Sequence, residues 1–210
     1  MLVFGNRKFF FYEESFILAE KTQCAGIANS LTGDTLGDIT EETMNEKITR
    51  YKEIYDSYRK GSLILPIAEW HTSESEIIFS LQRDQLDSRL LTSGFTIIPD
   101  VDINVLLNNM ELQDEEMFKR NNLYDESFSD SNISDVINCW MEGQKLIPPT
   151  IMIFDEEFFK RVNRTPYVTD ELRPVDGKHR LKVSYYLKEK KIPITVLNWQ
   201  VEKIKKRLLI

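Results

Sequence analysis

Apolar positions recur every three or four residues at Met44, Ile48, Tyr51, Tyr55 and Tyr58, the spacing that turns one side of a helix toward a core. Asp38, with Glu41 three residues on, has the form of a capping box, and Gly61 supplies the stop. The pattern predicts a helix with inward-facing tyrosines. The runs "SLILPIAEW", "SEIIFSLQ" and "GFTIIPD" are short, apolar and bounded by turn residues, and each predicts a strand. A short helix follows at "DINVLLNNM", begun by Asp100 or Asp102. Between Glu111 and Ser131 the periodicity gives way to "ELQDEEMFKRNNLYDESFSDS", which reads as a domain boundary or a surface excursion.

Helical spacing returns at Ile133, Val136, Ile137 and Trp140, with Gly143 as the terminator. Two prolines then introduce the apolar strand in "KLIPPTIMIF", and "DEEFFKRVNRTPYVTDE" reads as a loop. Beyond it the pattern predicts a strand at Leu172–Val175, a turn at Asp176 and Gly177, an amphipathic helix over 179–190 and a strand at "IPITVL". Strand, turn, helix and strand make one compact crossover unit. The aromatic-rich first twenty residues predict a small hairpin, with pairing across a homodimer as the alternative. The tail "VEKIKKRLLI" predicts an amphipathic helix with a basic face. The expected class is α+β, with residues 1–130 as an acidic α+β N-terminal region and 131–210 as a separate domain.

Composition narrows the function classes. A chain of 210 residues with 41% hydrophobic and 11% aromatic content is neither collagenous nor disordered. No apolar run approaches the roughly 18 residues a bilayer span needs, and no signal peptide is evident, so a protein without a membrane partner is expected. Cys24 and Cys139 form no Cys-x-x-Cys pair or Cys/His cluster; this predicts no disulfide framework and no zinc site, and fits a reducing cytoplasm. The net charge of −7 conceals an asymmetry. Residues 1–149 hold 13 Lys and Arg against 26 Asp and Glu, whereas residues 150–210 hold 14 against 8. A phosphate-bearing ligand is therefore expected at the last third of the chain, and a protein partner at the acidic part. The acid clusters Asp114, Glu115, Glu116 and Asp155, Glu156, Glu157 offer oxygen ligands for magnesium, with solvated surface as the simpler reading.

The candidate chemistry concentrates in Asp176, Gly177, Lys178, His179 and Arg180. A glycine turn that opens a helix presents backbone N–H groups and the positive end of the helix dipole to an anion. Arg180 adds a planar fork suited to phosphate oxygens, and Lys178 a flexible point charge. His179 can donate a hydrogen bond or exchange a proton near neutral pH. Asp176 can cap the helix, hold the arginine or bind a metal that accompanies phosphates.

The succession "GQKLIPPTIMI" and "LRPVDGKHRLKVSYYLKEKKIPITVL" resembles the ParB/sulfiredoxin superfamily over about residues 131–200. Its members share a proline-preceded strand, a DG-x-HR or GERR-type turn opening a helix, and a closing strand of the "IPV-V" type. The resemblance implies a ParB/sulfiredoxin-like core and a ligand site at the turn, with phosphate binding by Gly177, Lys178, His179 and Arg180. It implies catalytic roles for His179 and Asp176. In the kinase branch an upstream carboxylate is needed, for which Glu142 is the nearest candidate. Lys178 stands where sulfiredoxin carries its cysteine, so sulfinic-acid repair is not expected. The short stretch after the closing strand leads us to expect no helix-turn-helix of the partition-protein kind.

The expectation is a protein that binds a nucleotide or nucleic-acid phosphate and transfers or hydrolyses a phosphoryl group, as a nuclease, NTPase or small-molecule kinase. A nucleoside triphosphate would be its substrate or ligand, and Mg2+ its cofactor. The alternative is a non-catalytic module that senses a nucleotide or docks DNA or a protein.

Overall fold

The computed structural model describes residues 41–73, 75, 77, 78, 90, 92–120, 122–125, 128–162 and 170–210. The expected N-terminal hairpin, its dimer alternative and the Asp38 cap lie outside the described residues.

The first described element is α1 (Glu41–Arg59). Strand β1 (Phe95–Asp102) leads directly into α2 (Ile103–Asn108), and α3 (Leu112–Lys119) and α4 (Asp130–Met141) follow. Then come β2 (Thr150–Ile153), α5 (Glu156–Arg161), β3 (Leu172–Asp176), α6 (Lys178–Tyr186) and β4 (Lys191–Leu197). A 3-10 turn, Asn198–Gln200, precedes α7 (Val201–Leu208). The four strands form one mixed sheet in the order β1-β4-β2-β3. The α+β class is therefore realised. β4 pairs antiparallel with β1 and parallel with β2, and β3 runs antiparallel to β2.

Alternation along the strands sends residues to opposite faces of the sheet. Ile151, Ile153, Leu172, Ile192, Ile194 and Val196 join the larger apolar cluster, together with side chains of α1, α2, α4, α6 and α7. Phe95, Met152 and Leu197 join a smaller cluster with Ile77, Phe158 and Val162 on the other face. Each aliphatic side chain fully buried in this way contributes about 1.5–3 kcal/mol relative to exposure.

The tyrosine stripe of α1 faces this core, as its spacing predicts. Tyr51 and Tyr55 are buried, and the Tyr58 hydroxyl donates to the Leu187 carbonyl at 2.7 Å. The Tyr55 ring meets Tyr124 and Tyr186 edge-on, with centroids 6.3 and 6.4 Å apart. Gly61 and Gly143 end their helices at φ +73° and +66°, where a side chain would be strained. Asp102 is the cap of α2 and accepts from the amides of Asn104 and Val105. That decides between the two candidates.

Several expectations are corrected. "SLILPIAEW" is extended but forms no strand; a single bridge joins Trp70 to Leu146. Leu65, Ala68 and Trp70 pack on the core while Ile64 and Ile67 are 91% and 84% exposed, so an unbroken apolar run here lines one side of the chain only. Within "SEIIFSLQ" the described residues Ser75, Ile77 and Ile78 are helical. The acidic stretch 111–131 contains α3 and buries Phe118, Leu123 and Phe128 in the main core, because three well-placed apolar side chains outweigh the polar average around them. The expected loop after β2 contains α5, capped by Asp155, whose carboxylate accepts from the Phe158 amide at 2.7 Å. β3 and β4 are not neighbours: β2 lies between them, so the expected crossover unit joins two strands of opposite direction. Strand pairing also spans residue 130, since β1 joins β4.

Cys139 is buried and disulfide-bonded, which corrects the expectation of a lone thiol. A single disulfide leaves no spacing pattern to read. Cysteine usage thus no longer argues for a reducing compartment. Among the described residues no helix is long and apolar enough to cross a membrane.

Candidate functional site

Asp176 is the last residue of the edge strand β3 and stands opposite Thr150 in register. Gly177 then takes φ +76°, ψ +23° and caps α6. A Cβ built there would lie 2.8 Å from Pro149 Cα and 2.9 Å from an Arg180 guanidinium nitrogen. Both the left-handed backbone and the close approach require glycine. The proline that introduces β2 is therefore also the floor of the turn.

Two of the three charged members of the motif, Asp176 and Arg180, pair with each other. Arg180 is 1% exposed and Asp176 6%. The Asp176 carboxylate accepts from the Gly177 amide at 2.6 Å and from an Arg180 terminal nitrogen at 2.8 Å. The guanidinium folds back toward the strand end beneath its own helix turn. Lys178 is partly exposed, and the first intrahelical bond of α6 runs from the Leu181 amide to the Gly177 carbonyl at 2.9 Å. The amides of Lys178, His179 and Arg180 precede that bond, and Gly177 has no side chain to offer them.

His179 lies edge-on to the Phe128 ring, with centroids 5.2 Å apart, and its Nδ1 is buried. Burial, followed by the charges of Arg180 and Lys182, pushes its pKa down to about 3. It is a neutral imidazole at physiological pH, suited to donating or accepting a hydrogen bond and not to neutralising an anion.

Lys182, which the sequence reading passed over, completes this side of the helix together with Asp125, Phe128 and Tyr186. Lys182 is fully buried and pairs with Asp125, and its ammonium lies 4.2 Å from the centroid of Phe128 and 5.8 Å from that of Tyr186. Burial drives the Lys182 pKa below its usual value, against the opposing effect of Asp125. Burial also pushes Tyr186 up to about 12. α6 is thus not amphipathic: Arg180, Leu181, Lys182, Val183 and Ser184 are all buried. The available signal is the position of Lys182 between Leu181 and Val183, both of which are completely covered.

Glu142 is placed elsewhere. It caps the C-terminus of α4, is exposed, and accepts a hydrogen bond from Gln144 at 2.6 Å. Four of the six acids considered for magnesium, Asp114, Glu115, Asp155 and Glu157, are ion-paired within the fold. Asp114 pairs with Arg173 at 3.0 Å, as does Glu111 at 3.1 Å. Glu115 pairs with Lys119, Asp155 with Lys203 and Glu157 with Arg161. Among the described residues no group of three or more His, Cys, Asp and Glu is placed to hold a metal. A shallow depression lined by Asn45, Glu46, Thr49, Arg50 and Glu53 belongs to α1 and contains none of the motif residues.

Compared with protein-family models, with curated proteins and with solved structures, the chain matches none.

Proposed function

We propose that the chain binds a nucleotide or nucleic-acid phosphate at the Asp176–Arg180 turn, on a ParB/sulfiredoxin-like core. The observation that carries this reading is Gly177, whose left-handed backbone seated on Pro149 sets the N-terminus of α6 beside the end of an edge strand. A nine-residue helix concentrates about half a positive charge at that end. Lys178, partly exposed, adds a full one. A phosphate suits both.

In the catalytic form of the reading, the chain transfers or hydrolyses a phosphoryl group, and catalysis comes from positioning and charge stabilisation. The backbone amides and Lys178 hold the phosphate. His179, neutral, orients a phosphate oxygen or the attacking hydroxyl, and Asp176 holds Arg180 in place. The described carboxylates do not make a magnesium cage, so no step is routed through a protein-held metal; a nucleotide carries magnesium on its own phosphates.

The Asp176–Arg180 pairing favours a second reading, a non-catalytic module that senses a nucleotide or docks DNA while the acidic N-terminal region contacts a protein partner. Arg180 would then be structural. The test is a thermal-shift series with ATP, CTP and a short DNA duplex in the presence of magnesium, paired with assays of phosphate release and DNA nicking. A ligand at a hundred times its Kd stabilises by about 2.7 kcal/mol. Stabilisation that Lys178→Ala weakens at least about tenfold in affinity supports the site, since a charge-assisted hydrogen bond contributes roughly 1.5–3 kcal/mol. Turnover selects the enzyme and binding without turnover the module. Absence of any shift overturns both.

A further inference from the structure

The face of α6 covered by the segment before α4 carries His179, Lys182 and Tyr186, spaced three and four residues apart. His179 and Lys182 share one neighbour, the Phe128 ring, which His179 meets at its edge and over which the Lys182 ammonium stands. Phe128 is itself held by Phe118, with centroids 5.7 Å apart, and Asp125 on the same segment pairs with Lys182. A completely buried ammonium one turn from the motif is unusual, because lysine is almost never fully buried unless paired.

We infer that Lys182 is a positioning residue of the Asp176–Arg180 site: latched by Asp125, its ammonium holds the Phe128 ring against His179 and so fixes the direction of the imidazole. This deepens the phosphate reading and rests on it. The consequence is a division of labour in which Lys178 and the helix end supply charge while His179 supplies direction. Among the described residues the charged groups near His179 are Lys178, Arg180 and Lys182 on its own helix and, on the covering segment, Asp125, which pairs with Lys182; Arg120 acts on Lys182, and Asp176 is bound to Arg180. The depressed basicity of His179 agrees with this arrangement.

The chain contains two histidines, His71 and His179, so NMR of histidine ring protons follows both in the intact protein, with His179→Gln assigning the signal. In the wild type the His179 signal is expected not to titrate above pH 5. In Lys182→Met, which keeps the length of the side chain and removes the charge, the midpoint is expected to rise by about one unit or more, the size of a neighbouring-charge effect. Lys182→Arg is expected to restore the low midpoint. ATP affinity at neutral pH is expected to fall in Lys182→Met, because Phe128 is no longer held against His179, and to recover in Lys182→Arg.

A wild-type His179 that titrates in the ordinary histidine range overturns the inference without reference to any variant. ATP bound normally with an unmoved midpoint in Lys182→Met overturns the role of Lys182 and leaves the phosphate reading standing. A midpoint that moves in a protein to which neither ATP, CTP nor the DNA duplex binds overturns the phosphate reading and, with it, the positioning role.

Discussion

Two stretches of this chain look alike as strings of cations, the turn Asp176–Arg180 and the tail helix α7, yet the fold treats them oppositely. At the turn the Arg180–Asp176 pair is 2.8 Å long with side chains 1% and 5% exposed. On α7, Lys203 reaches Asp155 and Asp170, each at 2.8 Å, and Arg207 reaches Asp170, with the two cations 43% and 34% exposed. The same ionic chemistry has different consequences in the two places. On α7 water reaches Asp170 and both cations, and the pairing of these groups adds little. Beneath α6 water is excluded, so each charge depends on the other. Local cation density therefore does not mark a ligand site; what distinguishes the turn is the glycine that puts a charged pair inside the protein.

The largest test of this contrast is Arg180→Ala, which leaves Asp176 buried without its partner and is expected to cost about 3–5 kcal/mol in urea unfolding. Lys203→Ala, measured the same way, is expected to cost at most about 1 kcal/mol and to lose even that in molar salt. Equal costs would end the comparison. Gly177→Ala comes next, at about 2–4 kcal/mol, because the Cβ must enter a left-handed backbone and a backbone contact at 2.8 Å. Gly61→Ala, with φ +73° but nothing within 4 Å of its Cβ, isolates the conformational part and is expected to cost less.

A pH experiment sharpens the contrast further. His179 has a folded pKa of about 3 against about 6.5 unfolded, so between these values the unfolded chain binds more protons and stability falls as pH falls. The slope is at most about 1.4 kcal/mol per pH unit, and His179→Gln is expected to flatten it. Asp170 behaves differently: the hydrogen bond from Lys203 lowers its pKa. Its small contribution is complete above its ordinary range near pH 4 and is lost only as pH falls through the lower folded value. The smallest expected effect is thus the difference between wild type and Asp170→Asn, constant at neutral pH and vanishing in strong acid.

Much of the last third was legible because its signals are local. Gly143, Pro148 and Pro149, Gly177 and the "IPITVL" run mark ends and beginnings that need no distant partner to be recognised, and β2, β3, β4, α4 and α7 follow from them. What escaped notice depends on contacts between residues far apart in sequence. The acids of 111–131 read as surface because Arg173 and Lys182, which pair with Asp114 and Asp125, lie 59 and 57 residues away. Lys47 and Lys52 likewise reach Asp135 and Asp130 from α1. In "SLILPIAEW" the spacing could not say that Trp140 would bind the Pro66 carbonyl, at 2.8 Å, in place of a neighbouring strand. At the site itself, Asp176, Gly177 and Arg180 were visible as a motif, but their mutual burial was not. The neutrality of His179 depends on Phe128, Arg180 and Lys182, of which only Arg180 belongs to the motif.

The strand order carries a consequence for how the protein is made. β4, residues 191–197, is made after β1, β2 and β3, yet it is the strand that joins β1 on one side to β2 on the other. Until it emerges, β1 lacks its partner in the sheet and β2 has no neighbour on the edge away from β3. Closure of these four strands therefore waits for the one made last, and the nascent chain must be kept from pairing with other chains until then.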